Sequence, residues 1–347
     1  MSSPCRHLHK AVSPGEVSLA EAARARHARD EVRISPLFVG LCGSDLRLLR
    51  NEKSHLPGTF GHEVVARVTE TGAEVSGFSP EDLVTVNPVD AEDDSDIIGY
   101  NGNGFLGTDF VVSRRVLAQG RLMRLRSSTD PMAAVFAEPL ACCVRAQREL
   151  GVPLAGKRVV IVGAGSFGQL HYLLARHDGA AELLLVSRGA ARLDEAVSRG
   201  IALPEHVARC SGAHSLRGRA EVVIVTANGI EAVREGARWA APGATLLLFG
   251  GLGLGDVHDR VDLGRLRRER THAPAVLDGK PVSIVGSYGT GNEDFWRAIE
   301  LIEDDALGVA RLVTHVVSMA DLPRSLDGFA QGVIDGRPVL KLVVNCT

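Results

Sequence analysis

The chain has 347 residues, 45% of them hydrophobic, and a formal net charge of −3. It is long enough for two domains with sizeable cores, and its charge gives no reason to expect nucleic acid or a membrane surface as partner. Apolar runs such as Val159–Val162 and Thr245–Gly251 are strand-length, far short of a membrane span, and Arg6, His7, His9 and Lys10 near the start do not read as a signal peptide. A soluble cytoplasmic protein is expected, with its six scattered cysteines reduced.

In chain order, residues 1–35 are weakly patterned. Ala20–Arg29 reads as a short helix or a loop, and Glu31–Ser35 as a strand. Leu41–Glu63 (LCGSDLRLLRNEKSHLPGTFGHE) contains Cys42 in a turn and His62-Glu63 behind Gly61. Glu63–Glu70 and Asp82–Val86 read as strands separated by turn residues. The densest charge run, Asp90–Asp96, reads as a solvated surface loop or as a lure for a cationic substrate. Tyr100–Asp109 is a glycine-rich loop, and Phe110–Ser113 resumes a strand. The first 150 residues thus look like a β-rich domain.

Pro131–Leu150 has helical character that Pro139 is expected to interrupt after Glu138. From Arg158 the pattern alternates. Strands are expected at Arg158–Val162, Glu182–Val186, Ala220–Val225, Ala244–Phe249 and Pro281–Gly286. Helices are expected from Gln169, at Ala191–Arg199 and at Ile230–Trp239. This alternation indicates a parallel sheet with helical crossovers. The charged stretch Gly255–Lys280 reads as a solvated insert. Beyond it, helices are expected at Glu293–Glu303 and Leu322–Gly332, and strands at Thr314–Ser318 and Val339–Val344. The fold class is α/β: a β-rich domain over 1–150, a doubly wound domain over 151–290, and a tail over 291–347 that returns to the first.

Gly163-Ala164-Gly165-Ser166-Phe167-Gly168 is a G-x-G-x-x-G turn between a buried strand and a helix, with a second strand about twenty residues on. Such a turn cradles the pyrophosphate of a dinucleotide at a helix N-terminus, so Gly163, Gly165, Ser166, Phe167 and Gly168 are cofactor-binding candidates. The second strand ends in Ser187 and Arg188, followed by Arg192, where a chain specific for NAD would place a carboxylate. A carboxylate repels a ribose 2′-phosphate, whereas a hydroxyl and a guanidinium bind it. One unit charge at ~4 Å is worth roughly 1–4 kcal/mol between bulk water and a near-surface site. NADP(H) is the expected cofactor.

Cys42, His62, Glu63 and the distant Glu138 offer the thiolate, imidazole and carboxylate donors of a zinc site. Three protein ligands with a fourth position open would make that site catalytic in form.

Cys42-Gly43-Ser44-Asp45, Gly61-His62-Glu63, Glu138-Pro139-Leu140, Gly163 to Gly168 and Gly286-Ser287-Tyr288-Gly289 occur together in this order. On these motifs, nearly the whole chain resembles the zinc-dependent medium-chain dehydrogenase/reductase family, in its polyol (sorbitol-type) and threonine dehydrogenase branch. The resemblance implies a GroES-like catalytic domain, a Rossmann domain, and a homodimer or homotetramer built through the Rossmann sheet at the Pro281–Gly286 strand. It also implies that Cys42 and His62 ligate zinc, with Glu63 or Glu138 as third ligand. Ser44 then takes part in proton relay, and Asp45 orients His62.

Three departures from the family pattern stand out. No cysteine lies between Cys42 and Cys142, so one catalytic zinc and no structural zinc is expected. Arg47 stands where a relay histidine is common, which makes Arg47 a candidate for contact with phosphate or substrate, with His55 as a minor substitute. The third is the charged Gly255–Lys280 stretch. The implied reaction is hydride transfer between NADP(H) and a secondary alcohol or ketone of a polyol, sugar or aminated ring such as an aminocyclitol, as in the biosynthesis of an aminoglycoside-type antibiotic. The alternatives are a zinc-free quinone or enone reductase of the same fold and an NADPH-sensing regulator without turnover.

Overall fold

The computed structural model describes residues 4–10, 15–50, 58–93, 95–253, 255–258 and 260–347. It consists of two compact units, Met1–Ala141 with Thr290–Thr347, and Cys142–Gly289. His55 and Asp94 lie outside the described residues.

The first unit is built on strands that bury more than half of their side chains. Val32–Gly40 and Glu63–Thr71 pair antiparallel from Val32↔Thr71 to Gly40↔Glu63. Leu83–Val86 and Leu122–Arg124 extend the sheet on one side. Lys341–Asn345 and Val313–Ser318 extend it on the other, so the C-terminal residues complete the sheet. Val39, Val64, Val84, Leu342 and Val344 meet in one core. The N-terminal residues are more regular than their weak pattern suggests. Cys5–Lys10 and Val17–Ala22 form a hairpin, so the first part of the expected helix or loop at Ala20–Arg29 is strand. Its half-exposed side chains obscure the two-residue alternation.

Pro139 does not interrupt its helix. One helix runs Ala137–Glu149, after a separate turn of helix at Pro131–Ala134. Pro139 is the third residue of its helix, in the first turn, where no backbone N–H is required of it.

The second unit is a seven-stranded sheet in the order Val207–Arg209, Glu182–Ser187, Arg158–Val162, Ala220–Val225, Ala240–Leu248, Lys280–Gly286, His272–Leu277. The first six strands run parallel and the last is antiparallel. This is the doubly wound arrangement with one antiparallel edge.

Two expectations change here. The Gly255–Lys280 stretch is not merely a solvated insert. It supplies the helix Leu263–Glu269 and the edge strand His272–Leu277, and Leu263, Leu266 and Leu277 are buried. Its arginines mask the i,i+3 apolar pair that docks the helix. The Pro281–Gly286 segment therefore lies inside the sheet, and the free edge belongs to His272–Leu277, where Val276 is 49% exposed.

Candidate metal centre and dinucleotide turn

The sheet register brings the metal-site residues together. Gly40 lies opposite Glu63 across the central pair of strands. A side chain at Gly40 would collide with the Glu63 carboxylate and Val135, so this glycine leaves the room the carboxylate occupies. Cys42 follows two residues later and caps the helix Gly43–Leu49. Asp45 ties the cluster at that helix start. Its Oδ2 accepts the Cys42 backbone N–H at 2.8 Å, and its Oδ1 faces His62 Nδ1 at 3.4 Å. That contact orients the imidazole and leaves its other ring nitrogen available to a metal.

Cys42, His62 and Glu63 place one donor atom each within 4.8 Å of one another, the one such group among the described residues. Sulfur, nitrogen and oxygen donors at this spacing suit a tetrahedral zinc. The electrostatics fit as well. Burial alone pushes the His62 pKa down, but Asp45, Cys42 and Glu138 raise it well above the ordinary value. The cluster thus carries surplus negative charge that a divalent cation would balance.

Part of that charge is balanced by Lys341, a residue sequence reasoning passed over. Its Nζ lies 2.8 and 2.6 Å from the two Glu63 oxygens and 3.4 Å from the Leu41 carbonyl, over the Phe136 ring at 5.6 Å. Burial disfavours its charge, but Glu63, Cys42 and Glu138 outweigh that and raise its pKa. A carboxylate offers about four lone-pair sites, so Glu63 can serve the ammonium and a metal at once. The available signal was a single lysine inside the apolar run Val339–Val344.

Tyr100 was also missed. Its ring meets His62 edge-on at a centroid distance of 5.1 Å. Burial, with Cys42 and Asp45 nearby, pushes its pKa up, while the Ser44 hydroxyl works against that rise. The loop carrying Tyr100 is held to the His62 turn by backbone bonds, Phe105 N–H to the Gly61 carbonyl and Leu106 N–H to that of Phe60, both at 3.0 Å. Ser44 Oγ is buried at the cluster and makes no well-aligned hydrogen bond. Glu138 is buried within electrostatic reach of His62, Tyr100 and Lys341. Arg47 is placed differently. It sits two residues beyond Asp45, about 200° round the helix, and is exposed.

The acidic run is only partly a solvated loop. Asp90 is buried and accepts hydrogen bonds from Arg115 at 2.6 and 2.9 Å and from Arg121 at 3.3 Å; Arg115 also reaches Glu92 at 3.1 Å. Two of the five acids are therefore neutralised within the chain.

In the second unit, Gly163 has φ +115°, and a side chain there would strike Thr226 and Ala227. A side chain at Gly168 would strike the Gly163 carbonyl, so this glycine lets the helix Ser166–His177 pack on the strand. At Gly165 the space is open except for Arg192 Nη1 at 3.9 Å. The helix start has no side-chain cap, and Ser166 Oγ is buried without a hydrogen bond. Open backbone N–H groups, a spare hydroxyl and an unfilled cradle fit a bound pyrophosphate. Phe167 packs on Phe249 at 4.8 Å behind the turn. Ser187 is half-buried, while Arg188 and Arg192 are exposed at the same end of the sheet.

Residues 28–121 match the model of the alcohol dehydrogenase GroES-like domain. The chain is 27% identical over 327 residues to the Arthroderma otae protein named Probable D-xylulose reductase A, covering 87% of each. It is 25% identical to sheep sorbitol dehydrogenase, covering 96% of this chain and 94% of the relative. Among solved structures, a Sinorhizobium meliloti 1021 chain of zinc-binding dehydrogenase designation, bound to NADP, superposes with a TM-score of 0.80 at 24% identity, covering 99% and 100% of the two chains. Galactitol-1-phosphate dehydrogenase from Escherichia coli superposes with a TM-score of 0.79 at 21% identity, covering 98% and 99%. At these identities the structural likeness establishes the fold. Together with the donor cluster and the glycine turn, these similarities support the zinc-dependent medium-chain dehydrogenase/reductase family, on its polyol-dehydrogenase side.

Proposed function

We propose that the chain transfers hydride between NADP(H) and a secondary alcohol or ketone of a polyol or sugar. The observation that carries this reading is the Cys42–His62–Glu63 cluster, with His62 and Glu63 buried and Cys42 partly so, in a chain that also carries an open dinucleotide turn. Zinc there would act as a Lewis acid on the substrate oxygen, and the nicotinamide would give or take the hydride. Cys42, His62 and Glu63 are the proposed ligands. Asp45 would hold the imidazole, Lys341 would hold Glu63, and Glu138 would add negative charge near His62. Ser44 Oγ, buried at the cluster beside Tyr100, would take or return the substrate hydroxyl proton.

Ser187, Arg188 and Arg192 support NADP(H) over NAD(H), because no carboxylate stands where a 2′-phosphate would sit. The Arg115 and Arg121 contacts of Asp90 remove the main argument for a cationic substrate. Neutral polyols and keto-sugars are therefore favoured over aminated rings. A screen of polyols, keto-sugars and aminocyclitols with NADPH/NADP+ and NADH/NAD+ tests the reading. We expect turnover of a polyol or its ketone, with kcat/KM at least 10-fold higher for the phosphorylated cofactor. A clear NADH preference would contradict the cofactor assignment, and faster turnover of an aminated ring would contradict the substrate class.

A further inference from the structure

The parallel register of the second unit sets three chain positions side by side. Val162, just before the glycine turn, lies level with Val186, and Ser187 lies level with Arg209 on the next strand. With strands about 4.8 Å apart, Arg209 sits roughly 10 Å across the sheet from Gly163. A dinucleotide bound at the glycine turn would bring its ribose to the end of the Ser187 strand, which Arg209 adjoins.

Arg209 is anchored by a carbonyl rather than by a carboxylate. Its Nε and Nη2 donate to the Arg188 carbonyl at 3.4 and 3.3 Å, which leaves Nη1 uncommitted. Arg188, Arg192 and Arg209 are all exposed at this corner. Among the described residues, none of the three has a carboxylate as hydrogen-bond or ion-pair partner. Elsewhere on the surface arginines pair with acids, as Arg199 does with Glu195 and Arg234 with Glu231. Three guanidiniums gathered without a carboxylate repel one another, and a phosphate dianion offsets that cost.

We propose that Arg209 is a specificity-determining residue for the 2′-phosphate. Held by the Arg188 carbonyl, its guanidinium closes the outer side of a phosphomonoester site whose inner side is Ser187 and Arg188. This rests on the NADP(H) reading, and sequence offers no sign of it, because Arg209 ends a three-residue strand 22 positions after Ser187.

Calorimetric binding of 2′,5′-ADP and 5′-AMP to the purified protein tests it without turnover. For the wild type we expect 2′,5′-ADP to bind at least 10-fold tighter than 5′-AMP. Arg209→Ala should weaken 2′,5′-ADP 10-fold or more and leave 5′-AMP within 2-fold, and Arg209→Lys should restore part of the loss. If the wild type discriminates but Arg209→Ala binds 2′,5′-ADP as tightly, or loses both nucleotides equally, the assignment to Arg209 is wrong. If the wild type does not discriminate, the NADP(H) reading and this inference fall together.

Discussion

The candidate metal-site residues are coupled to two further buried charges. Asp45 orients His62, and Lys341 clamps Glu63. Replacing Lys341 with methionine keeps most of its volume but leaves the fully buried Glu63 carboxylate without its cation. Breaking a buried pair this way costs about 3–5 kcal/mol. Lys341→Met should therefore lower the chemical-denaturation midpoint of the metal-free protein, and added zinc should recover part of the loss by binding the freed carboxylate. Unchanged metal-free stability would show that the pair contributes nothing net. Cys42, His62 and their neighbours could be read from sequence because the donors lie in short local motifs. Lys341 could not, since its partner lies 278 residues away. Tyr100 was hidden for a related reason, because only the folding of its glycine-rich loop onto the Gly61 turn brings it to His62.

The helix that carries the dinucleotide turn also carries a buried histidine. His171 Nδ1 lies 3.1 Å from the Gln147 amide, its ring packs on Phe249 at 4.7 Å, and burial pushes its pKa down to about 3. Below about pH 6.5 the unfolded chain binds a proton at this residue that the folded chain does not bind until about pH 3. Its contribution to stability is complete above that window and is lost as pH falls through it, by roughly 1 kcal/mol per pH unit. Urea titrations at pH 7 and pH 5 should show a smaller drop for His171→Leu than for the wild type. Equal drops would show that His171 is not held neutral. The element pattern itself was uneven to read. Continuous apolar runs such as Glu182–Ser187 and Ala220–Val225 announce buried parallel strands. Val207–Arg209 is too short to stand out, and His272–Leu277 is a half-exposed edge containing Pro274.

At the scale of the whole molecule, the β-rich unit carries the candidate metal donors and the doubly wound unit the candidate cofactor turn, the two parts that the proposed hydride transfer requires. A zinc-free reductase of the same fold would have no use for the Cys42–His62–Glu63 cluster or the charges that support it. An NADPH sensor would use the second unit alone. Both rivals separate from the present account on metal content. The most direct measurement is the zinc stoichiometry of the purified protein, determined by elemental analysis alongside Cys42→Ser. The account predicts about one zinc per chain in the wild type and little in Cys42→Ser. A wild-type value near zero, or one that Cys42→Ser leaves unchanged, would contradict it.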